Sequence, residues 1–216
     1  MAMSGRLVAW LSLVGVVAAV GYAGRITGEK TPRDALYHYS TAASQLITFA
    51  VILGVALWIA HGLSNRDAFA LRRPRSWLRA ARLAFVALIV ILLAAYAFSP
   101  LHGAKEQGLE PSHWEPAHAA AFALNVVAFA VAGPIVEELV FRGLGFRLLE
   151  RYGQKAAIVL VGVCFGLWHG LIEALPTLIV FGIALAYVRS RTGSVYPGMA
   201  LHVLFNGIGL AIAVTT

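Results

Sequence analysis

The chain is poor in charge. Only 12% of its 216 residues are Asp, Glu, Lys or Arg, about half the roughly 25% of an average soluble domain. A soluble globule of this length could not cover its surface with so few. Cysteine is scarcer still. Cys164 stands alone, which excludes a disulfide scaffold and a cysteine-rich zinc module. Internal repeats, low-complexity linkers and the alternating pattern of a membrane β-barrel are also missing. In their place stand 60% hydrophobic residues and a mean hydropathy of +0.78, which excludes a disordered chain. The expected fold class is all-α: a polytopic membrane helix bundle.

Seven apolar runs approach the ~20 residues needed to cross a ~30 Å hydrocarbon layer. They are Leu7–Ala23, Ala42–His61, Leu83–Phe98, His118–Phe141, Ala156–Ile172, Pro176–Val188 and Tyr196–Val214. The third and sixth are short and are expected to extend into their flanks. The longest loops, of about 20 residues, leave no room for a second fold, so residues 1–216 form one membrane domain. Its first part, 1–117, holds helices one to three and their loops; its second, 118–214, holds the helices with polar residues in their apolar spans.

The formal net charge of +7 invites a nucleic-acid reading, and the distribution of the charges argues against it. With the N-terminus in the cytoplasm, thirteen of the 17 Lys and Arg fall on cytoplasmic segments: Arg6, the stretch Arg66–Arg82, the stretch Arg142–Lys155, and Arg189 with Arg191. Arg25, Lys30, Arg33 and Lys105 fall outside, with Glu29, Asp34, Glu106, Glu110, Glu115 and Glu173. This positive-inside pattern predicts an N-in, C-out topology and no nucleic-acid partner. The cluster Arg66, Arg72, Arg73, Arg75, Arg79 and Arg82 with Trp77 reads first as topogenic charge and second as a contact for anionic headgroups. Arg6, the apolar stretch after it and Gly21-Tyr22-Ala23 have the outline of a signal peptide. The length of the stretch favours an uncleaved first helix.

Ionisable residues inside such spans are costly, at least ~2.5–3.5 kcal/mol each at the bilayer centre, so they direct attention to function. The fourth run contains Gly133-Pro134-Ile135-Val136-Glu137-Glu138-Leu139-Val140-Phe141-Arg142. Adjacent residues on a helix point about 100° apart, so the two carboxylates serve different directions. Glu138 and Arg142, four apart, can pair along one face. Glu137 is left without a local partner and available as a general base. Both glutamates ion-paired at a helix end is the plainer alternative. Pro134 removes one helical hydrogen bond and could open the helix there.

The fifth run carries Phe165-Gly166-Leu167-Trp168-His169, with Gly162, Gly166 and Gly170 as a small-residue ridge for close helix approach. His169 lies near that seam; a histidine merely bonded to a backbone carbonyl is the alternative. The seventh run carries His202-Val203-Leu204-Phe205-Asn206. His202 and Asn206 share a face and could act as paired donors, or simply bundle helices. Depth is consistent with one site. Glu137 lies 16 residues before Gly153 and His169 lies 16 after it, so both sit ~24 Å from that turn on antiparallel helices; His202 is shallower. Asn125 reads as a bundling hydrogen bond, Glu173 as an exit residue, Cys164 as buried packing, and His38, His102, His113 and His118 as solvated.

Glu137-Glu138-x-x-x-Arg142, then Phe165-x-x-x-His169, then His202-x-x-x-Asn206 resembles the motif set of the CPBP (Abi) family of intramembrane proteases, the CAAX prenyl endopeptidases and bacteriocin-processing enzymes. Each motif is weak alone; the three in order on separate apolar spans are specific. The resemblance covers about residues 118–214 and leaves the first three helices without a signature. It implies an intramembrane endopeptidase, multi-pass in a bacterial plasma membrane, acting on a membrane-embedded or lipidated peptide or protein. Glu137 and His169 would activate water, His202 and Asn206 would stabilise the oxyanion, and Glu138, Arg142 and Phe165 would support them. The family has also been described as metalloproteases. Two His and a carboxylate could bind zinc, but there is no His-Glu-x-x-His and no third His at matching depth, which favours a mechanism with no metal cofactor. Two other readings remain: a non-catalytic immunity or scaffold protein of the same fold, and a proton-coupled transporter using Glu137 and His169. No inverted repeat supports the transporter.

Overall fold

A computed structural model describes residues 2–28, 32, 34–98 and 114–214. The expectations for Glu29, Lys30, Arg33, His102, Lys105, Glu106, Glu110 and His113 lie outside the described residues. Each of the seven apolar runs forms a helix, although the fifth stops at Trp168 and leaves His169 to Ile172 in a turn, and no strand occurs among the described residues. We number the long helices α1 (Met3–Ile26), α2 (Tyr39–Ala60), α3 (Trp77–Phe98), α4 (Pro116–Tyr152), α5 (Gln154–Trp168), α6 (Leu175–Thr192) and α7 (Tyr196–Ala213). The third and sixth extend beyond their apolar runs, as expected. The fourth extends much further and forms one 37-residue helix. Among the described residues five helices, α1 to α4 and α7, are long and apolar enough to cross a membrane. The protein is an integral, multi-pass membrane protein.

The other two helices show why length alone is a poor guide. α5 has 15 residues and α6 has 18. α6 lies inside the bundle, packed between α5 and α3, with Phe181, Gly182, Ala184, Leu185, Ala186, Val188 and Arg189 buried. The small-residue ridge of α5 makes this possible. A Cβ added to Gly182 would lie 2.7 Å from the Cα and carbonyl oxygen of Gly162, and one added to Gly166 would lie 2.6 Å from Ile179. Backbone therefore meets backbone along this seam, where dispersion contact replaces the missing hydrophobic drive in lipid. The ridge ends at Gly170, at φ +62, whose Cβ position lies 2.7 Å from the Gly21 carbonyl carbon. Any side chain there would meet both a left-handed backbone and α1. Gly153, at φ +103, makes the turn from α4 into α5.

α1 is more than a lipid-facing anchor. Trp10 is fully buried and its indole N–H donates to the Val140 carbonyl at 2.9 Å. Arg6 is buried too, donating to the Ile59 and His61 carbonyls at the end of α2, where a cation complements the helix dipole. Asn125 bundles as expected: its side-chain amide donates to the Leu36, His38 and Ala121 carbonyls. His38 and His118 are exposed, paired with Asp34 and Glu115. Cys164 departs from expectation. It is only half-buried, because the tight face of α5 is given over to its glycines.

Candidate active site

α4 does not follow one helical geometry. Two widened, π-type stretches, Val127–Ala132 and Leu139–Gly145, flank a short α segment, Gly133–Glu138. Such turns often mark functional positions. Pro134 sits at the junction. It does not break the helix, contrary to the opening considered from sequence, because the π stretch absorbs it. A proline has no N–H to offer the carbonyl five residues back, which is Phe129. That carbonyl instead accepts from the Asn206 side chain, Nδ2 to O 3.1 Å. A helix irregularity in α4 is thereby answered by a polar residue in α7.

Glu138 and Arg142 lie at the buried centre. Both side chains are 0% exposed, with Arg142 Nη1 2.9 Å from Glu138 Oε1. The contact is an ion pair whose N–H is poorly aligned for a hydrogen bond. The guanidinium lies over the Phe165 ring, 4.1 Å from its centroid, and Nη2 donates to the Gly182 carbonyl at 3.3 Å. The expected pair therefore exists, and it joins α4, α5 and α6. Glu138 does one thing the spacing did not reveal: its Oε1 also accepts from His202 Nδ1 at 3.1 Å. Its other oxygen, Oε2, has no hydrogen-bond partner among the described residues and faces Gly198 in the first turn of α7. A Cβ on Gly198 would lie 2.7 Å from that oxygen.

Glu137 points elsewhere, as adjacent helical positions must. Its side chain is 12% exposed, and its Oε2 lies 3.9 Å from His169 Nε2 and 3.7 Å from His202 Nε2. His169 Nδ1 donates to the Phe165 carbonyl at 2.7 Å. Both readings of His169 hold together: the backbone bond fixes its tautomer and turns Nε2 to Glu137. Glu138 fixes His202 in the same way. Phe165 and Phe181 wall the imidazoles, Phe165 at 4.6 Å from His169 and Phe181 at 4.8 Å from His202 between ring centroids.

α4, α5 and α7 thus bring one carboxylate and two oriented imidazoles to one point beside a buried ion pair, and α6 walls it with Phe181. Asn206 lies one turn beyond His202 on α7, and one of its amide hydrogens serves the Phe129 carbonyl. Glu173 is exposed in the turn before α6 and has an interaction partner. Glu137, His169 and His202 are the donors a divalent ion would require. Among the described residues, no three His, Cys, Asp or Glu side chains are arranged to hold a metal ion. Gly198, Phe181 and Gly182 were missed from sequence. The Tyr-Pro-Gly start of α7 reads as an ordinary turn, and no spacing rule links Gly198 to Glu138, 60 residues earlier.

Residues 119–208 match the model of the type II CAAX prenyl endopeptidase Rce1-like family. The chain is also 28% identical over 84 residues to the Bacillus subtilis (strain 168) protein named "Putative membrane peptidase YdiL". That alignment covers 38% of this chain and 34% of the relative, so the chain spans about a third of its length. No solved structure matches.

Proposed function

We propose, from the match of residues 119–208 to the CAAX prenyl endopeptidase family model, that the chain is an intramembrane endopeptidase of the glutamate type. The observation that carries the reading is Glu137 Oε2 placed between two imidazole Nε2 atoms, 3.7 and 3.9 Å away, within an apolar span.

A water seated between Glu137 and His169 Nε2 would give a proton to the carboxylate and its oxygen to the scissile carbonyl carbon. The C–O bond forms and the carbonyl becomes an oxyanion. Glu137, now protonated, passes its proton to the amide nitrogen as the C–N bond breaks. His202 donates Nδ1–H to Glu138; a second proton on Nε2 makes it a donor to the oxyanion. Asn206 has one amide hydrogen left for the same purpose. Each such donor is worth about 10²–10³ in rate. The substrate is a membrane-embedded or lipidated peptide or protein, and the membrane is a bacterial plasma membrane with the N-terminus of the chain in the cytoplasm.

The test is Glu137→Gln in purified protein reconstituted with a membrane-anchored fluorogenic peptide. General-base catalysis contributes about 10²–10⁴, and a loss of that size at unchanged melting temperature is expected. Undiminished turnover sinks the assignment of Glu137 as the base, whereas absence of cleavage by the wild-type protein itself favours a non-catalytic scaffold. A strong chelator tests the metal question: the glutamate mechanism predicts full activity in its presence.

A further inference from the structure

The basic segment between α2 and α3 is built as a site. Topogenic charge requires no particular fold, since it acts by sign and position alone. This segment is instead pinned at its middle. Ala68, Phe69 and Ala70 are almost fully buried, and Phe69 lies against Gly143 of α4, where a Cβ would come within 2.8 Å of the Phe69 Cα. Ala70 adopts φ +52, a left-handed conformation that a non-glycine residue keeps only where its surroundings over-determine it. Its carbonyl accepts from the backbone N–H of Val195, immediately before α7, at 3.3 Å.

Around this pinned centre the arginines are displayed outward. Arg66, Arg72 and Arg73, with Leu71, Trp77 and Tyr196, line a concavity of about 570 Å³. A second hollow of about 280 Å³ beside it adds Arg75, Arg79 and Arg191 with the hydroxyl residues Ser76, Ser190 and Thr192. Asp67, 3.9 Å from Arg72, is the carboxylate paired with this group. Guanidinium groups match phosphate oxygens in a bidentate way. The rim is continuous with α3, whose Trp77 is 56% exposed and is succeeded by exposed Leu78, Phe85 and Val86. An amphipathic indole at the head of an apolar exposed helix marks the headgroup level of a bilayer.

We propose that this concavity binds the phosphate of an anionic lipid headgroup, with Arg66, Arg72 and Arg73 on the phosphate and Trp77 at the glycerol level. The site is independent of the proteolytic reading, because none of its residues belongs to the Glu137 centre.

The full-length protein is purified in detergent containing equal amounts of phosphatidylglycerol and phosphatidylcholine, and retained lipid is measured by native mass spectrometry. Three proteins are compared: the wild type, the pocket triple variant R66Q/R72Q/R73Q, and the control triple variant R147Q/R151Q/K155Q, which removes the same charge elsewhere. Each basic residue near an anionic surface contributes on the order of a fivefold factor. The pocket variant is therefore expected to lose phosphatidylglycerol preference by about tenfold or more while the control keeps it. Melting curves confirm folding, and the single variant R73Q replaces the triple if that one is unstable. A further arm adds inorganic phosphate alone. Phosphate binding that the pocket variant loses, without a lipid preference, overturns the lipid assignment and gives the pocket to a soluble phosphate. Equal loss in both triples, or no preference in the wild type, overturns the proposal and leaves the arginines as topogenic charge.

Discussion

Replacing Gly198 by alanine tests whether Glu138 orients the site. The added Cβ would stand 2.7 Å from Glu138 Oε2 and 3.5 Å from its carboxyl carbon, well inside normal C···O contact. A free glutamate would swing aside at little cost. Glu138 cannot, because Oε1 is held by Arg142 at 2.9 Å and by His202 Nδ1 at 3.1 Å, and all three side chains are buried. Either the first turn of α7 moves outward or the carboxylate moves and takes His202 with it. Overpacking of this kind costs about 1–3 kcal/mol, and a displacement of ~1 Å in a catalytic group can cost about a hundredfold in rate. Gly198→Ala is therefore expected to lower kcat by one to two orders of magnitude with KM little changed, and to reduce the melting temperature modestly. Glu138→Asp in the same background, one methylene shorter, should recover part of the lost stability. If Gly198→Ala has wild-type turnover and melting temperature, the carboxylate is not a rigid support, and His202 is oriented by something else.

Removal of the buried carboxylate itself should be far more damaging. Glu138→Ala leaves Arg142 buried and uncompensated, at about 3–5 kcal/mol, and a thermal melt in detergent should show a large loss before any assay is attempted. Asn206→Ala leaves the Phe129 carbonyl without its donor and should cost about 1–3 kcal/mol together with activity. Adding Pro134→Ala restores a backbone N–H, so the double variant should regain stability; activity that stays low in it separates oxyanion stabilisation from bundling, and activity that returns would assign Asn206 to bundling alone. Trp10→Phe removes the hydrogen bond to Val140, so a fall in stability of about 1 kcal/mol is expected with proteolysis almost intact, measured by melting and by peptide cleavage.

Much of the site could be read from spacing because helical spacing is local. Glu138 and Arg142 are four apart and pair; Glu137 is one residue away and turns elsewhere; Gly162 and Gly166 mark the seam against α6. The equal distances of Glu137 and His169 from Gly153 place them at one depth, and they meet at 3.9 Å. Contacts across the bundle were beyond such rules. Nothing local shows that His202 reaches Glu138 as well as Glu137, that Gly198 stands against Glu138 Oε2, or that Asn206 caps Phe129. The irregular geometry of α4 was also hidden, since a π turn and an α turn share the same apolar composition. α6 was read as one short span among seven, while the glycines of α5 draw it into the interior.

The two widened stretches of α4 make the site sensitive to residue count as well as residue type. A π turn accommodates one residue more than an α turn, and each residue rotates the remainder of the helix by about 100° about its axis. Deleting a single apolar residue from Val127–Ala132 would leave hydropathy, charge and every motif intact. Yet it would swing Glu137 toward the direction now served by its neighbour and break the alignment of Phe129 with Asn206. A natural relative that keeps all three motifs but differs by one residue between Asn125 and Pro134 would therefore be a candidate for a lineage that has retained the bundle and lost the chemistry.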